Sequence, residues 1–349
     1  MATDDTEMSD DARSAGIGDE LPLTIKSHYA ELLDLAREDR ILGRPVQNYV
    51  AKTVKGRTYW YAQIKVGGET LQRYLGPDTD ERRREIEDLR ARQVARLGEF
   101  ERRRNVVRAL RTALPIDLPV ITARILNLLA DAGAFEAGAI VIGTYAYAIY
   151  AAMLGRRLPA IYARTGDLDL AAIDMAVAEP VALSDVIAEA EARMFVVPPA
   201  PHARISTRLK IRGGEYRVEL LTPARADGET KPVVIEGLKF GAQPLPYLDF
   251  LIAETVEAVV PADVGILVTV PMPERFALHK LIVATVRDRG ETAKRDKDLA
   301  QADALLAVLE VEEPDALAAA WQDLCARGEA YEKAARRSLT RLEREPPAP

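Results

Sequence analysis

Cysteine is nearly absent from this chain: Cys325 is the only one among 349 residues. A single thiol excludes an internal disulfide framework and any zinc site built from several thiolates. Histidine is almost as scarce, with three in the whole chain. No apolar run approaches the roughly 18 residues that a spanning helix needs, so no membrane segment is expected. The opening stretch MATDDTEMSDDARSAGIGDE lacks the basic-then-apolar layout of a signal peptide. It reads as an acidic disordered tail, and a cytoplasmic location is the plain expectation. GxxxxGK[ST], HExxH and GxSxG do not occur, so the common ATPase, zinc-protease and hydrolase motifs gain no support. The net charge of −7 argues against a protein that coats nucleic acid indiscriminately, while leaving room for a local basic surface.

What is present describes a soluble globular chain: 48% hydrophobic and 29% charged residues, with length enough for two or three domains. Residues 23–42 carry helix formers at helical spacing, closed by Gly43. Residues 46–76 change character, with β-branched and aromatic residues between the turn pairs Lys55-Gly56 and Gly67-Gly68. This is the pattern of a three-stranded antiparallel meander. On its middle strand Trp60, Ala62, Ile64 and Val66 should share one face, and Tyr59, Tyr61, Gln63 and Lys65 the other. A long helix, capped by Asp80, should then run to about Leu110, with Ile86, Leu89, Leu97 and Phe100 near one stripe.

Two readings of this N-terminal part stay open. Tyrosine rings can stack on bases while Lys52, Lys55, Arg57 and Lys65 meet phosphates. Equally, a small sheet needs an apolar cover, and its tyrosines can be half-buried against the long helix. From Glu81 to Arg104 nine arginines face six acids, which reads as nucleic-acid contact or as a solvated face laced with i,i+4 pairs.

From Asp117 the texture becomes that of an α/β core. A helix with Pro119 in its first turn ends at Gly133, and the short apolar strand GAIVIG leads directly into Gly143-Thr144 and a helix to Gly155. A strand carries RTGDLDLA, and RISTRLKI-RGGE-YRVELLTP reads as a hairpin around Gly213-Gly214 with Glu219 on its second strand. After the strand VGILVTV the remainder reads as helices over 274–287, 294–309 and 315 to about 342. The expected division is a tail (1–20), an N-terminal module (21–112), a core (113–273) and a C-terminal helical domain (274–349). The fold class is α+β, a mixed sheet with helices.

The acids of RTGDLDLA carry the chemistry. Residues two apart on a strand share a face, roughly 6.6 Å apart, so Asp167 and Asp169 project together while Leu168 and Leu170 enter the core. Alone, such a pair is either a wet strand edge or a metal site. If the Glu219 strand lies alongside, three carboxylates converge, and their crowding calls for a cation. Oxygen donors suit Mg²⁺, with Mn²⁺ as the alternative. Gly143 and Thr144 supply a second element, because a glycine turn at a helix N-terminus lets backbone N–H groups approach a phosphate.

The ordered blocks GT.A, RT.DLD, ELLTP, RFALHKL and KRDKDLAQADALL resemble the DNA polymerase beta-type nucleotidyltransferase superfamily, and within it a bacterial branch known mostly by its domain. The resemblance covers roughly residues 115–310, and the YWYAQ…YLGP meander goes with the same branch. It implies that Gly143 and Thr144 form the triphosphate-binding turn, that Asp167 and Asp169 bind metal, and that Glu219 is the third carboxylate, metal ligand and base. It also places Lys280 against the triphosphate, and it matches Lys294, Lys297 and Asp298 to a further charged motif, of which Lys297 joins the nucleotide contacts. Arg164 and Thr165 complete that set, although Arg164 reads equally as a surface ion-pair partner. His279 reads as a core histidine.

The resemblance implies Mg²⁺-dependent transfer of a nucleoside monophosphate from an NTP to an acceptor hydroxyl, with pyrophosphate released. An RNA or tRNA end is the favoured acceptor, met by the basic and aromatic N-terminal module; a protein or a nucleotide is the alternative. A toxin with an antitoxin partner, or a phage-defence enzyme, would fit this chemistry. The rival reading is a catalytically silent protein of the same fold that binds RNA or a partner, or senses nucleotide.

Overall fold

The computed structural model describes residues 18–42, 46, 48–66, 69–114, 116, 118–160, 166–174, 177–199, 204–225, 228–288 and 290–347. Most of the acidic tail, Gly43, Gly67, Gly68, Arg164 and Thr165 therefore lie outside the described residues, as do the side chains of Ile64, Lys65, Val66, Leu97 and Phe100.

The chain is an α+β fold. Helix α1 (Leu23–Leu42) is followed by a three-stranded antiparallel sheet of β1 (Asn48–Val54), β2 (Arg57–Val66) and β3 (Glu69–Pro77). Lys55 and Gly56 make the first turn, both with positive φ. Helix α2 (Asp80–Ala113) outlasts the expected end at Leu110, and its cap is Thr79 rather than Asp80. The Thr79 hydroxyl accepts from the Arg82 N–H at 3.2 Å, which leaves Asp80 in the first turn, where a carboxylate favours the helix dipole.

Next come α3 (Val120–Asp131), β4 (Ala139–Val141), α4 (Gly143–Met153), β5 (Asp167–Ala172), α5 (Leu183–Ala190), β6 (Met194–Val196), β7 (Arg208–Ile211) and β8 (Arg217–Pro223). They are followed by β9 (Val233–Ile235), β10 (Phe240–Leu245), the short α6 (Leu248–Leu251), β11 (Thr255–Val260) and β12 (Ile266–Pro271). The expected hairpin around Gly213-Gly214 is present as β7–β8. The central sheet is mixed, in the order β4-β5-β8-β10-β9. β5 runs parallel to β8 and β8 to β10, while β4 and β9 pair antiparallel at the two ends. On its other side β8 pairs first with β7 and then with β10. β11 and β12 form a separate antiparallel pair, with β12 alongside β4.

The C-terminal helices are α7 (Pro273–Val286), α8 (Thr292–Glu312), α9 (Pro314–Ala326) and α10 (Glu329–Arg341). The single helix expected from Asp315 to about Leu342 is two helices. Gly328 breaks it with φ of +123°, a conformation that costs glycine least. Among the described residues no helix is long and apolar enough to cross a membrane.

One hydrophobic cluster runs through α1, the end of α2, the central sheet and the C-terminal helices. Tyr150 of α4 donates to the Pro271 carbonyl at 2.8 Å and meets the Phe276 ring edge-on at 5.2 Å, fixing α7 against α4. A smaller cluster of Val46, Tyr49, Ala62 and Ile86 lies between the meander and α2, with Trp60, Leu75 and Leu89 packed on it.

Candidate active site

Alternation along the pleat sorts β5 and β8. Leu168, Leu170, Val218 and Leu220 are fully buried, so Asp167, Asp169, Arg217 and Glu219 occupy the opposite face. The parallel register sets Asp169 opposite Glu219 and Asp167 opposite Arg217. The three carboxylates thus share one patch of the sheet. Arg217 donates to the Asp167 carboxylate at 2.7 Å, and Arg208, opposite Glu219 on β7, approaches it at 3.4 Å.

β4 delivers the helix that faces this patch. The Ile142 N–H donates to the Asp169 carbonyl at 3.1 Å, and α4 begins at the next residue. Gly143 has φ of +67°, and a Cβ there would stand 2.8 Å from an Asp169 carboxylate oxygen. Both facts demand glycine. The N-terminus of α4, with its free N–H groups and partial positive charge, therefore abuts Asp169.

Two lysines reach the same place from the C-terminal helices. Lys297 of α8 donates to the Thr144 hydroxyl at 2.9 Å. Lys280 of α7 donates to Asp298 at 2.6 Å, and the Arg287 guanidinium holds the other oxygen of that fully buried carboxylate. Asp298 thus sets the position of Lys280, a role the charged motif alone did not reveal. Lys294 points elsewhere and pairs with Glu291 at 2.6 Å.

The electrostatics reflect this crowding. Burial pushes the Asp169 carboxyl up to about 6, with Glu219 and Asp167 adding to the rise and Lys280 and Arg217 opposing it. Burial also raises Glu219, against the pull of Arg208 and Arg217. Burial and the neighbouring Lys280 lower Lys297, while Asp298 and Asp169 counter them. Burial would raise Asp298, but Lys280 and Arg287 more than offset it and hold the carboxyl below its usual range. His279 is a buried core histidine, pushed down to about 3 mainly by burial, so its ring is neutral at physiological pH.

Sequence reasoning missed several contributors. Arg217 stands two residues before Glu219, so alternation alone puts it on the acidic face, but only the register pairs it with Asp167. Arg208 and Arg287 carried no motif. Thr122 of α3 hydrogen-bonds the hydroxyls of Tyr145 at 3.1 Å and Tyr216 at 2.9 Å, tying the start of α4 to the start of β8.

The donor chemistry fits a divalent cation: hard oxygen ligands, with like charges crowded at Asp169. As they stand, no three acidic, histidine or cysteine side chains among the described residues close around a common point. Arg217 and Arg208 pair with Asp167 and Glu219, and both arginine side chains are about half exposed.

A family model described as Nucleotidyltransferase matches residues 121–326, from α3 through the end of α9. No curated protein and no solved structure matches the chain.

Proposed function

The chain belongs to the nucleotidyltransferase family, and from that premise we propose that it moves a nucleoside monophosphate from an NTP to an acceptor hydroxyl. The acceptor oxygen forms a bond to the α-phosphorus, the bond from that phosphorus to the bridging oxygen breaks, and pyrophosphate leaves. The observation that carries this reading is the meeting of Asp169 and Glu219 across parallel strands, with the Gly143 turn of a helix N-terminus pressed on Asp169. Acids at the floor and a phosphate-accepting helix end beside them are the two halves that such a transfer needs.

In this reading the α4 N-terminus, Thr144, Lys297 and Lys280 hold the triphosphate. Asp167, Asp169 and Glu219 would hold Mg²⁺, which when bound neutralises charge building on the phosphates. Glu219, raised by burial, would take the proton of the acceptor hydroxyl. Arg217 and Arg208 serve as internal counterions that hand the carboxylates over and then face the anionic substrate. Positioning and charge neutralisation supply most of the catalysis. An RNA end is the favoured acceptor, and a toxin or phage-defence role would follow from which RNA or protein is modified.

One observation favours the silent-fold alternative. Two of the three carboxylates already have guanidinium partners, as they would in a protein that binds no cation. Incubation with each α-labelled NTP, Mg²⁺, total RNA and total protein separates the readings. Label should appear on an acceptor with wild-type protein and be lost with Asp167→Asn/Asp169→Asn. Transfer that survives the double substitution would remove these residues from the chemistry.

A further inference from the structure

The meander presents a face that neither the core nor the transfer chemistry uses. Its inner face is spent on packing: Tyr49 and Ala62 are buried against α2, and Trp60 donates to Asp78 at 2.8 Å with Arg90 over its ring. The pleat then sends Tyr59 and Tyr61 outward from β2, and the register sets Tyr74 of β3 opposite Tyr61. The three rings form one cluster, Tyr74 lying 6.0 Å from Tyr59 and 5.6 Å from Tyr61, centroid to centroid. Tyr74 is 54% exposed. Lys52 of β1, opposite Tyr59, places its ammonium 5.8 Å from the Tyr61 ring centre and donates to Gln72 at 2.6 Å. All three strands therefore contribute to one aromatic and cationic surface.

Charge selects the occupant. Between Asn48 and Pro77 there are five basic residues (Lys52, Lys55, Arg57, Lys65, Arg73) and one acid (Glu69), within a chain of net charge −7. By register and alternation Lys52 and Arg57 share the tyrosine face, which thus joins cations to an exposed aromatic ring at Tyr74 and half-buried ones at Tyr59 and Tyr61, the combination that holds the backbone and stacks the bases of a single strand. On the arginine-rich α2, by contrast, Arg82, Arg83, Arg102 and Arg103 already pair with Glu85, Asp78, Glu31 and Glu99, and no aromatic cluster among the described residues accompanies them. β2 also comes alongside α3, whose Thr122 ties together Tyr145 and Tyr216 beside the acidic floor.

We propose that the Tyr59–Tyr61–Tyr74 face is a base-stacking platform for single-stranded RNA and holds the acceptor strand; the acceptor half of this statement rests on the transferase reading above. The test is fluorescence anisotropy with the full chain and an end-labelled single-stranded RNA of about 15 nucleotides, a length at the upper end of such sites. Tyr61→Leu/Tyr74→Leu keeps apolar bulk but removes two π faces, and should weaken binding at least about tenfold. Tyr61→Phe/Tyr74→Phe should restore it, and thermal melts verify that both variants are folded. Lys52→Ala should weaken binding less and flatten its salt dependence between about 50 and 200 mM.

Unchanged affinity in the folded leucine variant overturns the platform. So does equal affinity for duplex RNA of the same sequence, or displacement of the RNA from the tyrosines by polyglutamate, which would mark an acidic-peptide surface. Tyrosine-dependent binding without any label transfer leaves the platform standing and removes the transfer reading. Transfer to RNA with binding indifferent to the tyrosines does the reverse.

Discussion

Two parts of this molecule concentrate charge, and they handle it in opposite ways. Along α2 the ion pairs among the described residues are mostly local, spanning three to five positions, as in Arg82–Glu85, Arg83–Asp78 and Arg103–Glu99. On the central sheet, carboxylates of like sign are brought together from positions 50 residues apart, Asp169 facing Glu219. Their counterions, Arg208 and Arg217, come from the same sheet, while Lys280 and Lys297 arrive from helices beyond it. Local neutralisation leaves nothing for a ligand to complete. Like charges held together by a fold create a demand for cations, and such a demand marks a site.

Perturbing the two regions should therefore have unequal effects. Asp169→Asn should lower nucleotide transfer by about a thousandfold, the scale of losing a principal electrostatic contact to the reacting group, measured as label incorporated per minute. Asp298→Ala leaves Lys280 and Arg287 without their shared buried partner. It should destabilise the fold by about 3 kcal/mol in denaturant melts. A loss below about 1 kcal/mol would show that those cations find water instead.

The floor should also be strained by its own charge. Burial pushes the folded Asp169 carboxyl up to about 6, above its unfolded value of about 4, so its burial is harmless below about pH 4 and costs stability progressively as pH rises from 4 through 6. Asp169→Asn should thus raise stability by on the order of 2 kcal/mol at pH 8, and the gain should vanish toward pH 4. A gain independent of pH would mean that charge is not its source. The smallest effect belongs to α2, where Arg83→Ala should barely move the denaturant midpoint, because the Arg83 side chain is more than half exposed and water replaces much of its contact with Asp78.

The same contrast explains what could be read in advance. The meander, the Gly143 turn and the β7–β8 hairpin are local patterns, set by residues a few positions apart, and all were legible. The side-by-side placement of β5 and β8 is not local, and only the convergence argument suggested it. The partners Arg208 and Arg217 required the register itself. β6, β9, β10 and β11 were missed because they are three to six residues long, and their pairing comes from tertiary contacts rather than from marked alternation. The break at Gly328 was overlooked because a glycine between two good helical stretches also reads as a tolerated interior residue. For the site, the acids and the turn stood out by residue type, whereas Asp298 and Thr122 act through contacts more than 15 residues away.

The central claim is that the acidic floor and the α4 N-terminus together bind a metal–nucleotide complex. Isothermal titration of the full chain with a non-hydrolysable NTP, with Mg²⁺ and then with EDTA, tests it most directly. Saturable binding that requires Mg²⁺ and disappears in Asp169→Asn is the predicted result. Binding that is equally tight in EDTA, or unchanged in the variant, would contradict the account.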